Sequence, residues 1–241
     1  MDTPNNFANK IIVALDVDTG LEALRLTDKL PETEVFKVGL KLFTAEGPSV
    51  FEKLQRQDKK VFLDLKLHDI PNTVAGAVSA GARHGVYMMT LHTSGGKEMM
   101  ERAVEAAAAE SARLGTERTL LVGVTVLTSL KSDHLHSIGV ASTIEDQVLR
   151  LAALAQEAGL DGVVCSPKEI DLVKGECGRE FLVVAPGIRP TWAAAQDQKR
   201  ILTPAQAIRK GADYIVIGRP IIKDPDPRKA FQRILNELRS F

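Results

Sequence analysis

Eight short apolar runs, spaced by amphipathic, helix-like segments without a break in composition, predict a closed parallel (β/α)8 barrel. The prediction takes 1–241 as one domain, with a short polar tail at about 1–8. The runs fall at 11–16, 35–39, 61–67, 88–92, 120–127, 162–165, 181–185 and 214–217. Their length and their β-branched and aromatic content suit buried strands. Between them, 98–114 is rich in the strong helix formers Ala, Glu and Arg. The stretch 143–158 opens on Thr143 with Asp146 three residues on, an approximate capping box. The stretch 204–210 ends against Gly211, a residue type suited to closing a helix. An open doubly wound sheet would show fewer strands in this length and a glycine-rich first turn. No Gly-x-Gly-x-x-Gly follows the first run, and no Walker-type loop occurs.

Composition narrows the function classes. Thirty-one basic residues balance thirty-one acidic ones, so no global field favours nucleic acid or an anionic membrane. Two cysteines, Cys165 and Cys177, make no disulfide framework, and no metal-type Cys/His cluster is present in the sequence. The first six residues are polar and lack an apolar signal core. No apolar run approaches the ~20 residues of a membrane span. The expectation is a soluble, cytoplasmic protein without nucleic-acid or membrane partners.

Barrels of this kind keep their sites at the C-terminal ends of the strands, so polar residues there are the informative ones. The third run carries the strongest signal: Asp64 and Lys66 interrupt an apolar strand at i and i+2. Strand side chains alternate, so these two face the same way as Phe62, while Val61, Leu63, Leu65 and Leu67 face the other. A buried ion pair costs desolvation energy that an apolar pair does not, so a fold alone does not ask for one. The first run ends at Asp16 and the second holds Lys37. With Asp64 and Lys66 they sit on consecutive strands and can form one charge cluster at the barrel mouth. A structural ion-pair network is the alternative reading.

The remaining strand ends follow in order. The fourth run ends in His92, which either lines the site or is a satisfied core histidine, and Thr128 and Ser129 follow the fifth. Met88, Met89 and Cys165 read as packing. His68 lies past the third strand, either supporting the site from behind or as a loop residue. The seventh and eighth runs lead into Arg189 and into Gly218-Arg219, at the usual phosphate-binding corner of a barrel. Glycine lets backbone approach an anion closely, and arginine offers a planar fork of donors. Two longer connections, 128–142 with Lys131, His134 and His136, and 187–203, open on the same face.

The segment Asp64-Leu65-Lys66-Leu67-His68-Asp69-Ile70-Pro71-Asn72-Thr73 resembles the signature of the orotidine 5′-phosphate decarboxylase family. Ala14-Leu15-Asp16, Phe36-Lys37-Val38-Gly39, Val126-Leu127-Thr128-Ser129, Pro186-Gly187-Ile188-Arg189-Pro190, Asp197-Gln198 and Ile217-Gly218-Arg219-Pro220 resemble it too, in order and spacing, over nearly the whole chain. Related barrels that decarboxylate sugar-phosphate keto acids share the Asp-x-Lys-x-x-Asp core. The Ile-Pro-Asn-Thr extension and the Pro-Gly-Ile-Arg turn favour the orotidine branch.

The resemblance implies conversion of orotidine 5′-monophosphate to uridine 5′-monophosphate and CO2 without metal or organic cofactor. Lys66 would donate a proton to C6 of the pyrimidine, and Asp64 would lie against the substrate carboxylate. Lys37 and Asp16 would contact the ribose and orient the charged pair. Asp69 and Thr73 would reach the site of the neighbouring subunit in a homodimer. Thr128 or Ser129 would bond the pyrimidine edge, Gln198 would bridge pyrimidine and phosphate from a lid, and Arg189, Gly218 and Arg219 would hold the phosphate. The sequence adds one point of its own. On a continued strand, Asp69 would point to the opposite face from Asp64 and Lys66. Two other functions fit the same barrel: a metal-assisted sugar-phosphate decarboxylase or aldolase, and a nucleotide-binding protein without catalysis.

Overall fold

The computed structural model describes residues 7–193 and 202–240. Eight parallel strands pair in chain order and close into a barrel, β8 returning to β1. They are β1 Ile11–Ala14, β2 Val35–Gly39, β3 Lys60–Leu67, β4 Met88–His92, β5 Leu120–Val124, β6 Gly162–Val164, β7 Leu182–Ala185 and β8 Tyr214–Ile217. The helices around them are α1 Gly20–Lys29, α2 Leu40–Glu46, α3 Ser49–Gln55, α4 Pro71–Arg83, α5 Lys97–Leu114 and α6 Ser132–Ser137. They continue as α7 Ile144–Glu157, α8 Ile170–Cys177, α9 Pro204–Arg209, α10 Arg219–Ile222 and α11 Pro227–Arg239. The predicted fold is therefore the observed one.

The local signals act where the sequence puts them. Thr143 caps α7 by accepting the N–H of Asp146. Thr203 and Gln206 form a reciprocal capping box on α9, and Gly211 follows that helix at φ +103°, a conformation that favours glycine. Three expectations need correction. Within the stretch expected as a polar tail, Phe7 and Ala8 are buried in a short 3-10 turn. The connection 128–142 contains the short helix α6. The first and fifth apolar runs outlast their strands, because β1 stops at Ala14 and β5 at Val124. Leu15 and Val126 are nonetheless buried, and the Leu15 N–H still donates to the Lys37 carbonyl at 3.0 Å, so apolar composition there reports burial more than strand length.

The core has two layers. Ile12, Ala14, Val35, Phe62, Met88, Val122, Val184 and Val216 fill the barrel interior. Residues of the other strand face, such as Val13, Val38, Leu63 and Val183, pack against the helices. At the N-terminal end, the hydroxyls of Tyr87 and Tyr214 meet at 2.7 Å. Tyr87 precedes β4 and Tyr214 opens β8, strands on opposite sides of the barrel, so this bond spans the floor. Open, polar space is left at the opposite end. Among the described residues no helix is long and apolar enough to cross a membrane.

One irregularity lies beside that opening. The β3–β4 ladder pairs Leu63 with Met89 and then Leu67 with Leu91. Asp64, Leu65 and Lys66 thus stand opposite the single residue Thr90. Lys66 takes up the excess at φ +52°, in the left-handed region that residues with a Cβ rarely occupy.

Candidate active site

β2, β3 and β4 bring four polar side chains together at the mouth. The Asp64 carboxylate receives the Lys66 ammonium on Oδ1 at 2.8 Å and the Lys37 ammonium on Oδ2 at 3.1 Å. Thr90 donates its hydroxyl to Oδ1 at 3.1 Å. Burial alone would push the Asp64 carboxyl up. The ammoniums of Lys37 and Lys66 outweigh that and hold it below the usual carboxylate range. Gly39 leaves room for this arrangement, since a Cβ there would come within 3.0 Å of Lys37 Nζ.

Two cavities meet at this cluster. The inner one, about 150 Å³, is mostly apolar and is walled by Phe62, Val124, Val126, Val164 and Val184 with Thr128 at its edge. The outer one, about 390 Å³, is polar and takes in Asp16, Lys41, Arg189, Gly218 and Arg219. Lys37, Asp64 and Lys66 border both. Arg189 is buried, and its loop is tied back by a bridge between Ile188 and Leu202, with the Arg189 N–H bonded to the Leu202 carbonyl at 3.0 Å. Gly218 brings the end of β8 against β1, where a Cβ would meet Ala14 at 3.3 Å.

The expected residues divide as follows. Lys37, Asp64, Lys66, Asp16, Thr128, Arg189, Gly218 and Arg219 all border the two cavities, whereas Ser129 borders neither. Asp16 is not part of the ion-paired cluster. It lies beyond the end of β1 and is exposed, and among the described residues it makes no ion pair with Lys37, so the cluster has three charges and not four. Asp69 and Thr73 are exposed and border neither cavity. Strand alternation does not set the direction of Asp69, because β3 ends at Leu67 and Pro71 opens α4. Gln198, with Asp197, lies outside the described residues.

His92 borders neither cavity but sits close behind Lys66, with its ring 5.3 Å from that of His68. Burial pushes its imidazole down in pKa, and the neighbouring His68 and Lys66 add to the effect. Cys165 is buried but does line the inner cavity, and burial pushes its thiol up. Sequence reasoning missed Thr90 and Lys41. Thr90 could have been found as the one hydroxyl in the buried run of β4. Lys41 pairs with Asp18 at 2.7 Å on an exposed helix start and gives no distinct sequence signal. Among the described residues no three His, Cys, Asp or Glu side chains gather as a metal site would need.

Fold and site together define a (β/α)8-barrel enzyme with a charged cluster between an apolar chamber and a cationic one. The family model for orotidine 5′-phosphate decarboxylase / HUMPS matches residues 9–234, and the chain belongs to that family. It is 50% identical over 230 residues to an orotidine 5′-phosphate decarboxylase of Vibrio cholerae, covering 95% of this chain and 98% of the relative. It is 49% identical over 231 residues to the enzyme of that name from Nostoc sp., covering 95% and 97%. The crystal structure of orotidine 5′-phosphate decarboxylase from Lactobacillus acidophilus superposes with a TM-score of 0.85 at 37% identity, over 95% of this chain and 99% of the other.

The ion triad has a testable pH signature. A carboxyl held low in the folded state adds stability above its unfolded pKa and loses it as pH falls through the folded value. Asp64→Asn should therefore be less stable than wild type in urea at pH 7, with two ammoniums left facing a neutral amide. The gap should persist down to about pH 4 and close only below it. A gap that closed near pH 6 would contradict the triad.

Proposed function

We propose that this protein decarboxylates orotidine 5′-monophosphate to uridine 5′-monophosphate and CO2 in pyrimidine synthesis, without a metal or organic cofactor. The observation that carries the proposal is the Asp64–Lys66 pair at the seam of the two cavities. An apolar chamber edged by Thr128 suits the flat pyrimidine. A chamber with Arg189 and Arg219 suits the phosphate, and Asp16 in that chamber and Lys37 at the seam suit a ribose between them. The family membership and the names of the relatives support the same substrate.

The chemistry follows from the pair. The bond from C6 to the carboxylate breaks, CO2 leaves, and the electron pair stays on C6, which the ring delocalises poorly. The Lys66 ammonium stabilises that carbanion and then gives it a proton, and the neutral amine regains one from solvent. Asp64 also faces the substrate carboxylate. Two like charges ~4 Å apart at an effective dielectric of ~20 repel by roughly 4 kcal/mol. That is about three decades of rate at ~1.4 kcal/mol per decade, too little to be the main effect for so unfavourable a carbanion. Stabilisation by a preplaced Lys66 carries more, and contacts to the remote phosphate supply binding energy for it.

Asp69 and Thr73, exposed on either side of the 67%-exposed Ile70, support a homodimer in which these residues complete the partner's site. Cys165 and Cys177 are free thiols, as suits a cytoplasmic enzyme.

Lys66→Ala should lower turnover of orotidine monophosphate by roughly 10³-fold or more while uridine monophosphate still binds. A spectrophotometric assay with chelator present checks this. Normal turnover in the variant would refute the role of Lys66, and chelator-sensitive wild-type activity would favour metal-assisted chemistry. Mixing Asp69→Ala with Lys66→Ala subunits, each inactive alone, should restore roughly a quarter of the wild-type sites, because each heterodimer holds one intact site. No recovery in verified heterodimers would argue against shared sites.

A further inference from the structure

Thr90 holds a position that the chemistry above leaves unused. It is 1% exposed, in the middle of β4, directly opposite the three-residue excess of β3. Its Oγ1 accepts the backbone N–H of Lys66 at 2.8 Å and donates to Asp64 Oδ1 at 3.1 Å. That same carboxylate oxygen receives the Lys66 ammonium. The lysine is thus gripped at both ends: its main chain through the hydroxyl, and its side-chain nitrogen through the carboxylate. A left-handed lysine persists only where its surroundings over-determine it. Without that conformation, Lys66 would follow ordinary strand alternation beyond the bulge, and its reach to Asp64 would change.

We infer that Thr90 is a positioning residue, whose single hydroxyl fixes both the left-handed backbone of Lys66 and the carboxylate oxygen that aims its ammonium. The inference rests on the proposed decarboxylation. Thr90 is buried, and its hydroxyl bonds to both members of the pair. Removing the hydroxyl alone should therefore misplace Lys66 without emptying the core or touching the phosphate corner.

Thr90→Val keeps the shape and deletes the hydroxyl, and Thr90→Ser keeps the hydroxyl and deletes the methyl. The Val variant should melt cooperatively and lose about 10- to 100-fold in kcat, the scale expected of a small misplacement, with KM and uridine monophosphate affinity within about threefold of wild type. The Ser variant should recover most of the lost kcat. Wild-type kcat in the Val variant would overturn the inference, as would equal loss in both variants, which would assign the effect to packing. If the Val variant fails to fold, Thr90→Cys replaces it. A weak sulfur donor that, like Ser, lacks the methyl should then give a kcat clearly below that of the Ser variant, and a kcat equal to that of Ser would overturn the inference. Failure of the underlying reading is separately visible, since a wild-type protein that releases no CO2 from orotidine monophosphate refutes the reaction itself.

Discussion

The buried Asp64 carboxylate, held between two ammoniums, is the interaction on which the rest of the molecule's mouth is arranged. A lone buried carboxylate would take up a proton. Here the ammoniums of Lys37 and Lys66 outweigh burial and keep the Asp64 carboxyl charged, which fixes two cations at the barrel mouth. The surrounding structure serves that end. Gly39 clears space for Lys37, Thr90 bonds to both Asp64 and Lys66, and Lys66 leaves the bulge in β3 to meet Asp64. The pair of tyrosines closing the floor leaves the charged end as the barrel's open one.

In the proposed reaction the two cavities divide the work on the substrate. The apolar one would exclude water around the reacting ring, which strengthens every charge at its border. The polar one would bind a group that does not react. Its arginines come from the ends of β7 and β8, on the far side of the barrel from β4. In the proposed reaction, binding energy gathered there would hold the ring against Lys66 across the barrel mouth. Asp64 serves both sides of this arrangement, as the group that receives the Lys66 ammonium and, in the proposed reaction, as the one facing the departing carboxylate.

Much of this was legible in the chain. Eight apolar runs were enough for the barrel, because a parallel sheet buried on both faces leaves nearly continuous apolar strands. Asp64, Lys66, Lys37 and the Arg189 and Gly218-Arg219 corner were legible because charge at a strand end stands out against that background. What was not legible depends on tertiary pairing. Simple alternation brought Asp64 and Lys66 to one face, but the actual route is a ladder slip with a positive φ at Lys66, which no local propensity encodes. Thr90 was hidden because threonine is an ordinary strand residue. Asp16 was placed in the ion cluster because β1 was read two residues too long. Asp69 was read on a strand that ends two residues earlier.

The central claim is that the site's charges are set before any substrate arrives, with Asp64 ionised between Lys37 and Lys66. Carbon-13 NMR of labelled aspartate carboxyl groups in the ligand-free protein tests this directly, with the Asp64 resonance assigned by its absence from the Asp64→Asn spectrum. The account predicts an ionised shift for Asp64 throughout the neutral and mildly acidic range and a midpoint below the ordinary aspartate value of about 3.9. A midpoint at or above that value would mean that burial outweighs the two ammoniums, and would contradict the account.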